Sequence, residues 1–178
     1  MMTAVKKLTP EARAALRRHV PQAEGTRWVT DLAAKRGWKE ANRSYLESTR
    51  AQGVEEMSAL MEDLGISAVA SREEALELLE TALAVYLPEA QVERTTDDRG
   101  EPALRIGVRE CPTYAASEAS GWHGVTACSF WHRRQGWYQA LGIDVMDTVV
   151  GERKWGDVAC AAVVQLPAAA PGRERNRD

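Results

Sequence analysis

Apolar residues recur in threes and fours as far as Leu87, and past Pro88 they fall at every second position. That change of period limits the folds open to the chain. A period near 3.6 is a helix face, and a period of two is a strand with one covered side. Helices first and strands afterwards is the order of an α+β fold, not the alternation that builds a parallel βαβ sheet.

The punctuation of the first half supports this reading. Thr9-Pro10-Glu11 is a helix start, with Thr9 as cap and Pro10 at the first helical position; the helix runs to about His19 and closes at Pro21. A second helix is expected from Ala23 to Lys35, with Trp28, Val29 and Leu32 on its buried side and Gly37 as its stop. From Trp38 to Leu64 the spacing of Tyr45, Leu46, Met57, Leu60, Met61 and Leu64 is helical, with a bend or interruption expected at Gly53. Ser71 and Glu74 form a capping box that opens a fourth helix, stopped by Pro88.

In the second half, Gln91 to Thr95 and Ala103 to Arg109 flank Asp97-Asp98-Arg99-Gly100, a strand, turn and strand. Leu104, Ile106 and Val108 share one face, so helices should cover the sheet on one side only. Arg105 and Arg109 share the other face, which leaves a homodimer open beside a monomer. A short helix after Pro112 and a longer one from about Val125 to Leu141 precede a second hairpin, Ile143–Glu152 with Val158–Leu166. The expected architecture is an N-terminal helical layer packed on a mostly antiparallel sheet of about four strands, with a helical insertion between two hairpins. Residues 1–166 form a single α+β domain, and the Pro/Ala-rich, then charged, stretch 167–178 is expected to be a disordered tail.

Composition excludes several functions. Lys plus Arg number 23 against 26 for Asp plus Glu, a net charge of −3. A nucleic-acid or membrane-surface partner would call for a basic stripe or a polybasic cluster. The N-terminus lacks the apolar run of a signal peptide, and no apolar stretch approaches the roughly 18 residues of a membrane span. Three widely spaced cysteines do not make a secreted disulfide framework, so free thiols in a reducing cytoplasm are expected.

The chemistry-bearing residues gather in the second half. Cys111 follows a strand and precedes Pro112 at a helix mouth, where the helix dipole favours a thiolate; a thiol that merely packs is the alternative. Cys128, Trp131, His132, Gln135 and Tyr138 fall at helical spacing, so thiol, imidazole and amide could share a stripe, or the stripe could be core. By alternation Cys160 points with Val158, Ala162 and Val164, and is expected to face inward. Tyr114, Trp122, Trp131, Trp137, Tyr138 and Trp155 offer an aromatic pocket wall or a core. No cofactor motif is present. Zinc would have to use Cys128, Glu152 and Cys160, and their spacing lacks the short ligand pairs of zinc sites.

Three features together carry a family resemblance: Glu110-Cys111-Pro112, Cys128 on a helix, and Gly156-Asp157-x-x-Cys160 in the last hairpin. Trp28, Gly37 followed by Ala41, and Leu64-Gly65-Ile66 accompany them. Over roughly residues 25–166 the chain resembles the small proteins grouped with L-2-amino-thiazoline-4-carboxylic acid hydrolase and their relatives of the vinyl-reductase-like sensory fold. The resemblance implies a small-molecule enzyme of specialised metabolism, hydrolysing a compact heterocyclic or thio-compound. Cys111 or Cys128 would attack an amidine-like carbon or position water, and His132 or His123 would move protons. Substrate contacts would come from Tyr114, Trp122, His123, Trp131, Gln135 and Tyr138. The sensory relatives imply instead a non-catalytic module that binds a small aromatic ligand or a metal. Two departures stand out: Ser129 to His132 occupy positions where the hydrolase pattern carries an acidic residue, and Glu152 stands where the metal-binding pattern has a cysteine.

Overall fold

The computed structural model describes residues 8–18, 27–125 and 127–166. Helices α1 (Pro10–Arg17), α2 (Arg27–Arg36), α3 (Trp38–Asp63) and α4 (Arg72–Tyr86) precede strands β1 (Gln91–Thr96) and β2 (Pro102–Val108). Helices α5 (Pro112–Ala119) and α6 (Ser129–Leu141) follow. The chain then closes with β3 (Met146–Gly151), a 3₁₀ turn at Arg153–Trp155, and β4 (Cys160–Gln165). The fold is the expected α+β arrangement, with α5 and α6 inserted between the two hairpins. The stretch 167–178 and most of the segment between α1 and α2 lie outside the described residues, as does the expected end of the first helix at His19.

Local chemistry sets the helix ends. Thr9 Oγ1 accepts from the Ala12 N–H at 3.1 Å, and Pro10 fills the first helical position. Ser71 Oγ accepts from the Glu74 N–H at 3.1 Å, while Glu74 reaches back to the Ala70 N–H at 2.6 Å, one residue earlier than the ordinary capping box. Arg17 of α1 donates from Nε to the Val85 carbonyl at 2.9 Å, so a cation closes the C-terminal end of α4.

Two expectations for the helical layer are corrected. Gly53 does not interrupt α3, which runs unbroken for 26 residues. Gly53 is instead the point where α6 lies against α3. A Cβ there would stand 3.2 Å from the Gly136 Cα and collide with the Arg133 carbonyl. Trp28 is not buried with Val29; it keeps 38% of its surface, because neighbours on a helix point about 100° apart and only Val29 meets the core.

The sheet is antiparallel throughout, in the order β1-β2-β4-β3. Leu104, Ile106 and Val108 of β2 and Ala162 and Val164 of β4 are buried beneath the helices, and Arg105 is exposed on the other face. The main core joins this face to Met57 and Leu60 of α3, Leu76, Leu79 and Leu83 of α4, and Trp137 of α6. Val158 departs from the expected inward set. It is 85% exposed, because β4 begins only at Cys160 and strand alternation does not extend back into the turn. Among the described residues no helix is long and apolar enough to cross a membrane.

Candidate ligand-binding site

Three strand ends meet at one end of the sheet. Val108, the last residue of β2, pairs with Cys160, the first of β4. Cys111 lies three residues past Val108 as the cap of α5, and Glu152 follows the end of β3. The N-terminus of α6, with Cys128 as its cap, sits above them. Residues far apart in the chain are thereby gathered around a single hollow of about 440 Å³, counted to its open mouth. Its wall includes Tyr45, Cys111, Tyr114, Trp122, His123, Cys128, Phe130, Glu152, Lys154 and Cys160.

Aromatic packing shapes the hollow. The Tyr45 and Trp122 rings meet edge to face with centroids 5.5 Å apart, and Tyr114 meets the His123 ring at 5.8 Å. The Arg153 guanidinium also packs on Tyr114, lying 4.7 Å from its centroid while donating to the Arg109 carbonyl at 3.0 Å. The turn after β3 is thus clasped to the end of β2. The Nδ1 of His123 is buried and has no hydrogen-bond partner among the described residues.

The sulfur atoms are held by backbone. Cys111 Sγ accepts from the Tyr114 N–H at 3.4 Å, in the manner of an N-cap oxygen. Cys160 Sγ accepts from the Arg153 N–H at 3.5 Å. Burial pushes the Cys128 and Cys160 thiols up, and each is also raised by the negative charge of Glu152. Both therefore stay protonated at neutral pH. Burial likewise raises the Tyr45 hydroxyl.

Not every residue expected at the site is there. Cys128 lies just before α6, with φ −64° and ψ 110°, so it does not share a helical stripe with His132. The imidazole of His132 lies beside Arg50 and edge-on to the Trp131 ring at 4.8 Å; burial, then Arg50, lower its basicity. Gln135 is absent from the wall of the hollow. Tyr138 is core: its hydroxyl donates to Asp147 Oδ2 at 2.7 Å, in a buried network where Arg134 holds both Asp147 oxygens at 2.8 Å. Trp137 is fully buried and Trp155 is 66% exposed. Trp131 borders a second hollow between α6 and the sheet. Among the described residues, no group of three or more His, Cys, Asp or Glu side chains could hold a metal ion. Cys128, Glu152 and Cys160 share a wall without forming such a site.

The sequence reading missed Tyr45 and Phe130. Tyr45 gave only a core-spacing signal within α3, and its distance along the chain from the cysteines hid its place at the hollow. Phe130, the single Phe of the chain, lies in the first turn of α6 and belonged to no motif that would have singled it out.

A helical layer over a four-stranded antiparallel sheet is an arrangement with a solved counterpart. The chain is similar to the crystal structure of the phenol-responsive sensory domain of the transcription activator PoxR, determined with phenol. The likeness has a TM-score of 0.55 and 13% identity, and covers 83% of this chain and 75% of that one. No protein-family model matches the chain, and no curated protein matches it in sequence. The likeness bears on the sensory-fold side of the resemblance and leaves the hydrolase side without support.

Proposed function

We propose that this chain is a non-catalytic small-molecule-binding domain whose hollow takes a compact aromatic compound bearing a hydroxyl. The observation that carries this reading is the buried, unpartnered Nδ1 of His123 on an aromatic wall. A buried polar atom without a partner is unfavourable, and a ligand hydroxyl that meets it through a small turn of the His123 ring would relieve it. Tyr45, Trp122 and Phe130 supply flat apolar surface for the ring. The structural likeness to a phenol-responsive domain supports the same reading.

Isothermal calorimetry with phenol tests it. Phenol is expected to bind the intact chain with 1:1 stoichiometry, and to bind equally well after Cys111→Ser or Cys128→Ser. Absence of heat up to millimolar phenol, together with no shift in melting temperature, sinks the proposal.

The hydrolytic reading has one observation in its favour, the Cys111 thiol capping α5 in the same hollow as His123. It loses its other expected partner, because His132 lies outside the hollow. A hydrolase should lose turnover of a thiazoline carboxylate on Cys111→Ser, whereas a binding domain shows no turnover to lose.

A further inference from the structure

Two hollows share one wall. Cys128, Phe130, Glu152 and Cys160 border both the first hollow and a second, smaller one of about 310 Å³, likewise counted to its open side. The second lies between α6 and the sheet. Its own lining is aliphatic, from Ile106 and Val108 of β2, Val149 of β3, and Ala161 and Ala162 of β4. The space exists because α6 is drawn onto α3 through the Gly53–Gly136 contact, while the strands beneath its first turn carry Gly151, Ala161 and Ala162. Its two charged neighbours are already engaged. Arg134 is held twice by Asp147, and Glu152 pairs at 3.9 Å with Lys154, on the side of the first hollow. Phe130 is fixed in the dividing wall, edge-on to Trp137 at 6.1 Å and with Arg134 4.5 Å from its centroid.

We propose that the second hollow is a subsite for an apolar substituent, so that the ligand class is alkyl- or aryl-substituted aromatic hydroxyl compounds. The hydroxylated ring sits against His123 and Trp122, and the substituent passes the Cys128–Cys160 edge toward Val149. Neutral thiols suit that passage, since they behave as small polarisable hydrophobes. The inference rests on the binding reading above for the ring and adds the destination of the tail.

Calorimetry on the full chain with phenol, 4-ethylphenol and 4-butylphenol tests it. Affinity is expected to rise about fourfold per methylene, the fold-change that matches burial of one CH₂. Val149→Phe fills the second hollow and should return 4-butylphenol to the affinity of phenol, with phenol itself unchanged. Ala162→Val, a smaller change on the face that Val149 shares, should reduce the same advantage partway and serves if the larger ring prevents folding. The subsite is overturned if phenol binds and 4-butylphenol binds no tighter, or if the butyl advantage survives both substitutions. A chain that binds none of the three overturns the reading of the first hollow, and this one with it.

Discussion

His123 combines a polar atom sealed from water with no partner to satisfy it, and the two effects of replacing it have opposite signs. His123→Phe removes the unsatisfied nitrogen while keeping a flat ring, so the unliganded protein should melt at the same temperature or higher. Phenol affinity should fall by about 1–3 kcal/mol, the cost of leaving the ligand hydroxyl unpaired. Calorimetry beside a melting curve separates the two, and a lower melting temperature with unchanged affinity would refute the assignment. The buried thiols make a second residue-scale prediction. Iodoacetamide at pH 7 should modify Cys128 and Cys160 far more slowly in the folded chain than in urea. The sign of their pH effect follows from the direction of the shift. The fold holds the thiol protons more tightly than the unfolded chain does, so this contribution is intact below the ordinary thiol value of 9.0 and is lost as pH rises above it. His132 acts at the other end of the range. Its basicity is lowered, so stability falls as pH drops below the ordinary imidazole value of 6.5, and His132→Gln should flatten that part of a urea-midpoint profile.

Between elements, the contact of α3 with α6 depends on two glycines and one buried ion pair. Gly→Ala in a helix ordinarily stabilises by about 1 kcal/mol. At Gly136 the added Cβ would stand 2.8 Å from the Val54 nitrogen and 2.9 Å from the Gly53 Cα, backbone atoms that cannot step aside. Overpacking costs of about 1–3 kcal/mol should therefore win, and Gly136→Ala should lower the urea midpoint. Glu56 of α3 is buried and accepts from Arg133 Nε at 2.7 Å, from Trp137 Nε1 at 3.0 Å and from Gln52 at 2.6 Å. Arg133→Met strands that carboxylate and should cost about 3–5 kcal/mol, measured by the same unfolding. The helix caps, both hairpins and the inward face of β2 were legible in sequence, because Thr9, Ser71 and the Leu104-Ile106-Val108 alternation each act through neighbours within a few residues. The start of α6 was not. Residues 125–128 have helix-compatible spacing, yet Val125 turns back to the Trp122 carbonyl and Ala127 bonds Asn42 of α3, a partner 85 positions away. The misjudged cap carried His132, Gln135 and Tyr138 into the expected site with it.

Across the whole molecule, the hollow is bordered by α3, α5, α6 and the ends of β3 and β4. Phenol at a hundred times its dissociation constant should add about 2.7 kcal/mol to unfolding free energy and raise the melting temperature accordingly. The sulfur atoms were recognisable as candidates from residue type alone. That all three border one hollow follows from the β2–β4 pairing, which brings Val108 and Cys160 side by side, and no local spacing encodes that pairing. The same convergence has a mechanical meaning. A molecule lodged there touches Tyr45 in the first half of the chain and Cys160 near its end, so it acts as a further rivet between the helical layer and the sheet. Occupancy should then slow amide exchange in the middle of α3 and at the start of β4 together, segments that share no backbone hydrogen bond.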